Sequence, residues 1–452
     1  MRLMGEIDAG EIVREAIKSG FEEAVSTSYK TLSSYVKISN SKIDSIVEKE
    51  RAGASIFLTS RKRVFFTHIQ ELNSKALAAA LAKAKKAIRS IKPKSDYYGI
   101  AQGPFRYDRK AASYDKRMEG YGEKELMDIA YGSLGSLKGR DQLAGMLHAN
   151  FTESNLATSG GVNEQMKSSL ARLSLRLFRN GFSNQDFAAS KYLSGIKPGE
   201  LANSMLETSK LSEKTGRISN GAYDVIYTPS PAGSLLSNVN SMFCISSIET
   251  GSPFSGKLSK KVGSKDLTIY DSGNDPRAID SSPYDEEGHP TETTPVIKSG
   301  IAKQYLHNHS TAVKYKTQST GNAGLVEPDP DTMIVEHKNK AGSLHDLIRK
   351  VDKGILVTNT WYTRFSNYLS GDFSTVPRDT TIYIEKGEPR FIIKQGAIGS
   401  FVGIRISENM IRMLHALEAV ADDSRQSTSW DSEGSYYITP SILVRDSAIT
   451  TA

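Results

Sequence analysis

Tyr223-Asp224-Val225-Ile226-Tyr227-Thr228-Pro229 leads, across Ser230, into Pro231-Ala232-Gly233-Ser234-Leu235-Leu236-Ser237-Asn238-Val239-Asn240-Ser241-Met242. Its opening run of aromatic and β-branched residues ends at a proline, the pattern of a strand running into a turn. The same pattern returns at 267–271, 294–297, 333–336, 354–358, 381–384 and 391–393, with Gly, Pro and Asp between the runs. Two helices interrupt it. One is expected over 343–353, with Ser343 and Asp346 as a capping box and Gly354 at its end. The other is expected over 407–420, with Met410, Ile411, Leu414 and Leu417 facing inward. Many strands and few helices predict a β-rich half, curled or barrel-like, from residue 216 to 452.

Upstream the periodicity changes. Val13, Ile17, Phe21 and Ala24 form one stripe of a helix over 11–25. Short strands are expected at 35–38, 43–47 and 55–58, and a return strand at 63–67 follows the turn Ser60-Arg61-Lys62. A helix starting near Asn73 should bury Leu77, Leu81, Ala84 and Ile88. Residues 91–120 carry Pro93, Gly99, Gly103 and Pro104 among Tyr97, Tyr98, Phe105, Tyr107 and Tyr114, which reads as an irregular connection held by its aromatics. A helix at 123–136, strands at 145–152 and 170–177 around the turn at 157–161, and a helix at 198–213 complete this half. The expected class is α+β: an N-terminal helix-and-meander domain (1–215) and a β-rich C-terminal domain (216–452).

Composition narrows the function. Hydrophobic residues make up 38% of the 452, enough for a substantial core, and no run of 18 apolar residues suggests a membrane span. The first residues turn charged at once, so no signal peptide is expected and the compartment should be the cytoplasm. A single cysteine, Cys244, excludes an internal disulfide and a multi-thiolate metal site. Its neighbours Met242, Phe243 and Ile245 are apolar, which points to an inert buried thiol. The net charge of +7 is spread along the chain, and its densest cluster (Lys83, Lys85, Lys86, Arg89) suits the end of a helix, so nucleic acid is an unlikely partner. No G-x-S-x-G elbow or phosphate-binding loop is present.

Several segments together resemble the TldD/PmbA metallopeptidase family. The 223–229 run and the Leu235-Leu236 pair match its third segment, and Asp285-Glu286-Glu287-Gly288 is similar to its acidic turn. Ile297-Lys298-Ser299-Gly300-Ile301, Ser319-Thr320-Gly321-Asn322-Ala323-Gly324 and Gly371-Asp372-Phe373-Ser374 follow in the family's order. In the TldD branch a His-Glu-x-x-x-His zinc motif follows the Leu pair. The matching positions here are Ser237, Asn238 and Met242. Imidazole binds zinc and a carboxylate takes a proton from the bound water, whereas hydroxyl, amide and thioether do neither well. The distal cysteine of that branch is also missing from 422–430, and the ending Tyr437-Ile438-Thr439-Pro440-Ser441 resembles the PmbA, or TldE, branch.

The resemblance therefore implies a subunit with no catalytic residues and no metal of its own. Zinc would reside in a TldD-type partner, the pair forming a heterodimer that degrades flexible or unfolded peptides, and the chain forming a homodimer when alone. Thr320, Gly321, Asn322, Gly371, Asp372 and Ser374 are candidate peptide-binding residues, because Gly permits close approach and the others hydrogen-bond a main chain. Two alternatives stay open. His307 and His309, two apart on an expected strand, could with a carboxylate from the upstream Asp285, Glu286 and Glu287 form an unrecognised metal site for an autonomous peptidase, against the plainer reading of an exposed polar strand end beside a solvated acidic turn. Alternatively, the chain is a regulatory binding protein.

Overall fold

The computed structural model describes residues 7–135, 137–139, 141–394, 403–428 and 436–451. Helix α1 (Ala9–Lys18) starts at Asp8, whose carboxylate accepts the Glu11 N–H at 2.8 Å, and buries Ala9, Ile12, Val13 and Ala16. It stops well short of residue 25. Gly20 adopts φ 91°, a left-handed conformation that breaks the helix, and the chain turns into β1 (Glu23–Ser39). Ile17 is consequently exposed, and Ala24 is a strand residue.

The three short strands expected next are two long ones. β1 pairs with β2 (Lys42–Ser60) from Glu23↔Thr59 to Ser39↔Lys42 around a turn at Asn40 and Ser41. Half of β2, around Lys49, Glu50 and Arg51, faces water and shows no apolar alternation, which is why it reads as a gap. β3 (Arg63–Ile69) returns as expected, and α2 (Ser74–Ala87) is capped by Asn73. After an irregular passage come α3 (Glu123–Gly132), β4 (Gln142–Thr158), β5 (Asn163–Arg179), β6 (Phe182–Ser190) and α4 (Pro198–Lys210). The strands form one sheet in the order β3-β2-β1-β4-β5-β6, curled into a half-barrel. One face is covered at one end by α1 and α2, over Ala54, Ile56 and Leu58. At the other end α3 and α4 cover Leu173, Leu175 and Leu177. Val25, Phe57 and Leu156 point the opposite way, towards Ile100 and Tyr284.

The second half continues with β7 (Thr215–Gly216), β8 (Gly221–Tyr227), α5 (Pro229–Phe243), α6 (Ile245–Thr250), β9 (Leu267–Ser272), β10 (Thr293–Lys298), β11 (Ile301–Ala302), α7 (His309–Tyr315) and β12 (Thr332–His337). Then follow α8 (Leu344–Arg349), β13 (Lys353–Val357), β14 (Arg364–Asn367), β15 (Asp372–Thr375), β16 (Thr381–Glu385), β17 (Glu388–Ile393) and β18 (Ile404–Asn409). The last elements are α9 (Met410–Ala416), β19 (Leu417–Val420), β20 (Arg425–Thr428), β21 (Tyr436–Thr439) and β22 (Ile442–Thr451). Ser343 and Asp346 do form a capping box, but α8 ends at Arg349 and Gly354 lies inside β13. The helix expected over 407–420 is a strand, a short helix and a strand. Asn409 caps α9, and Met410, Met413 and Leu414 are buried on it.

These elements make two sheets, β11-β10-β9-β12-β21-β20 and a ten-stranded one with β22-β8-β13 at its centre. Between them α5 buries Ala232, Leu235, Leu236, Val239, Met242 and Phe243 in the largest core. β8 is buried on both faces. Tyr223, Val225 and Tyr227 face α5, while Ile226 faces α8, and Asp224 is paired with Arg445 at 2.5 Å.

Candidate functional site

Helix α5 has one polar stripe, Ser234, Ser237, Asn238 and Ser241, at the spacing of a single helical face. Ser237 Oγ donates to the Ser234 carbonyl at 3.2 Å, and Asn238 Nδ2 donates to the Ser234 and Leu235 carbonyls at 3.1 and 3.0 Å. Both side chains fold back onto the helix. Met242 lies on another side, fully buried beside Phe243 in the core. Positions five apart on a helix differ by about 140° in direction, and burial here separates them completely. Neither the chemistry nor the direction of Ser237, Asn238 and Met242 fits a zinc ion. Ser429 and Trp430, at the end of the segment that lacks the distal cysteine, lie outside the described residues.

The buried face of α5 carries a residue that the sequence reading passed over. Asn240 Nδ2 donates to Asp271 Oδ1 of β9 at 2.9 Å. Asn322 Nδ2 donates to Asp271 Oδ2 at 2.6 Å and to Asp331 Oδ2 at 3.2 Å, and the Asp331 N–H donates to Asp271 Oδ1 at 2.9 Å. One carboxylate thus ties the helix to the Thr320-Gly321-Asn322 loop and to the start of β12. Gly321 has φ 69°, and a Cβ there would strike the Pro290 carbonyl, so the loop requires glycine. Thr320 Oγ1 accepts the His307 N–H at 2.8 Å. Asp271 pairs with nothing close in sequence, and no local signal identifies it.

His307 and His309 are not on a strand. Asn308 between them caps α7, accepting the Thr311 N–H at 3.0 Å. His307 is buried with Nδ1 3.3 Å from Thr311 Oγ1, and burial pulls its pKa down to about 4. His309, half-buried, faces His289 and Glu23. Among the described residues, no three His, Cys, Asp or Glu side chains are grouped to hold a metal. The acidic turn is not solvated either, because its carboxylates cap backbone. Asp285 accepts the N–H groups of Glu287, His289 and Ala323 at 3.0, 2.9 and 3.0 Å. Glu287, 2% exposed, accepts those of Ala101 and His309. Glu286 is exposed but still accepts the Leu325 N–H at 3.0 Å.

Gly371, Asp372 and Ser374 sit at the start of β15, in the other sheet. Asp372 accepts Asn409 Nδ2 at 2.8 Å and Ser370 Oγ at 2.5 Å, hydrogen bonds that hold its carboxyl below the usual range. It shares no hydrogen-bond partner with Asn322. Cys244 is buried at the end of α5, and burial raises its thiol pKa.

The buried acids set a pH dependence. Burial pushes Asp271 up to about 7 and Glu287 well above the usual range. The folded chain therefore keeps protons that the unfolded chain has lost by about pH 5. Their stabilisation is full below the unfolded pKa and is lost as pH rises through the folded one. His307 works in the opposite direction, but only below about pH 6.5, where the unfolded chain gains its charge. Between pH 6.5 and 7.5 thermal unfolding should move to lower temperature, with on the order of 1 kcal/mol lost through Asp271. Glu287→Gln should flatten that slope. A transition temperature rising across the interval would contradict the assignment.

Residues 220–451, just over half of the chain, match the family model of the PmbA/TldA metallopeptidase C-terminal domain. A metalloprotease PmbA homolog from Buchnera aphidicola is 30% identical over 37% of this chain, a match spanning 33% of that protein's length. An uncharacterized protein of Methanocaldococcus jannaschii is 21% identical over 87% of this chain and 92% of its own. The crystal structure of TldE from Thermococcus kodakarensis superposes with a TM-score of 0.84 at 19% identity, covering 97% of this chain and 99% of that one. On the family model, the chain belongs to the PmbA/TldD metallopeptidase family.

Proposed function

We propose that this chain is the metal-free subunit of a two-chain zinc peptidase of its family. It pairs with a homologous TldD-type chain that holds the zinc, completes the chamber and positions flexible or unfolded peptide without cutting it. It forms a homodimer when the partner is absent. The observation that carries this reading is the state of α5: Ser237 and Asn238 are tied back to helix carbonyls, and Met242 is sealed in the core. A cavity of about 500 Å³ between β6, α4 and β20 opens beside Thr228 and Pro229, where α5 begins, and is of a size to take peptide. No described helix is long and apolar enough to cross a membrane, and the cytoplasm is the compartment this reading places it in.

The test is reconstitution. Mixed with a TldD-type chain, the protein should co-elute as a heterodimer, and an unfolded polypeptide should be cleaved only when both are present. Replacing the partner's zinc-binding histidines should abolish cleavage, while Ser237→Ala with Asn238→Ala here should leave it intact. The purified chain alone should hold less than about a tenth of an equivalent of zinc after dialysis with the metal. A partner that cleaves fully by itself and never binds this chain would refute the subunit role.

A further inference from the structure

A cavity of about 340 Å³ separates the curled sheet from the loop around Asn322. Its sheet wall is Thr27, Ser55, Ser154, Leu156 and Met166. These share one face of β1, β2, β4 and β5, as the pairings Thr27↔Ser55, Thr27↔Leu156 and Ser154↔Met166 require. The opposite wall carries Asp285, Glu286, Asp329 and Asp331, and among the described residues no basic side chain lines the space. In a chain of net charge +7 this is a local concentration of negative charge. Two further groups give it direction. Asn322 and Tyr284, only 2% and 7% exposed, line the cavity, and Asn322 Oδ1 and Tyr284 Oη have no hydrogen-bond partner among the described residues. Because Asn322 Nδ2 already donates to two carboxylates, the orientation of its amide is fixed, and Oδ1 is left as an acceptor.

We propose that this cavity binds an organic cation, the ammonium or guanidinium group of a peptide, with Asp329 and Asp331 supplying charge and Asn322 Oδ1 and Tyr284 Oη accepting its N–H groups. Leu156, Met166 and Pro330 give the apolar surface that the methylenes of a lysine or arginine prefer, below a polar tip. The volume is at the small end of ligand pockets and suits one side chain with its flanking peptide bonds. A metal ion is a poor match, because the acids are spread along the wall and not grouped around one point. The cation also relieves the mutual repulsion of the acids, which is otherwise met by proton retention. The peptide origin of the cation rests on the function proposed above; the cation chemistry does not.

Calorimetric titration of the full chain at low salt tests this, using acetyl-lysine methylamide, acetyl-arginine methylamide, glycinamide and the neutral acetyl-norleucine methylamide. The cationic compounds should bind and norleucine should not. Response to glycinamide alone assigns the pocket to a peptide N-terminus, and response to the lysine or arginine compound assigns it to a side chain; either supports the proposal. Asp329→Asn should weaken binding about tenfold or more. Tyr284→Phe should weaken it several-fold while leaving the melting temperature unchanged or higher, because it removes a hydroxyl that has no partner in the chain. Equal binding of norleucine, no binding of any cation, or affinity unaffected by both substitutions would overturn the inference. The titration uses this chain alone, so its failure leaves the reconstitution result standing, and the reverse holds too.

Discussion

Gly233→Ala should destabilise the protein by about 3 kcal/mol, although alanine in place of a helical glycine ordinarily stabilises by about 1 kcal/mol. Gly233 is in the first half of α5, where the helix lies directly against the ring of Tyr437 on β21. A Cβ at this position would overlap that ring at a separation real side chains do not reach. The ring has no way out. It is fully buried, and its hydroxyl donates to the Ser230 carbonyl of the same helix at 3.0 Å. The added methyl therefore lifts α5 off the sheet and loosens the largest core. Chemical denaturation reads the sign. A double-mutant cycle with Tyr437→Ala should show coupling of about 2 kcal/mol or more, because without the ring the alanine fits. A gain in stability for Gly233→Ala alone would mean that the close approach is absent.

That glycine shows how unevenly the sequence reveals this fold. β8 was legible because burial on both faces gives an unbroken apolar run at Val225, Ile226 and Tyr227. β5 was legible for a different reason, since Leu173, Leu175 and Leu177 alternate on one buried face. β1 and β2 were seen only as fragments, because Ser, Lys and Glu fill their solvent-facing lengths. At 407–420 the spacing of Met410, Leu414 and Leu417 imitates a long helix. Leu417 instead pairs with Val444 in β19, and tertiary pairing decided what local periodicity could not.

The candidate site divides along the same line. Ser237, Asn238 and Met242 could be named from position along the chain, and Cys244 from its apolar neighbours. The acidic turn was misread as solvated because its partners, the amides of Ala101, His309, Ala323 and Leu325, come from distant segments. Asn240 and Asp271 carried no local signal at all. Each is an ordinary polar residue until the fold brings α5, β9 and the Asn322 loop together.

Asp271→Ala should cost about 3–5 kcal/mol, the scale for breaking a buried polar network by removing the group at its centre. Asp271 is 1% exposed and accepts from Asn240, Asn322 and the Asp331 backbone at 2.9, 2.6 and 2.9 Å. Its removal leaves all three donors without that acceptor in a space closed to water, and each lost partner carries a desolvation penalty of about 1–3 kcal/mol. The loss should concentrate on the loop. Amide hydrogen exchange should accelerate at residues 320–331 well before it does in β8 or β13, whose ladder does not depend on this carboxylate. Asp271→Asn discriminates between two accounts of the same residue. If Asp271 were only a buried acid kept neutral by desolvation, the amide would replace it at little cost. If it is the acceptor that the geometry shows, the new NH₂ group meets another donor, and about 1–3 kcal/mol is lost. Because Asn322 would then keep only Asp331 as a carboxylate acceptor, the same substitution should also weaken cation binding in the neighbouring cavity. A stable Asp271→Asn protein that binds the cation normally would separate the network from the pocket and remove the basis for assigning Asn322 as a ligand.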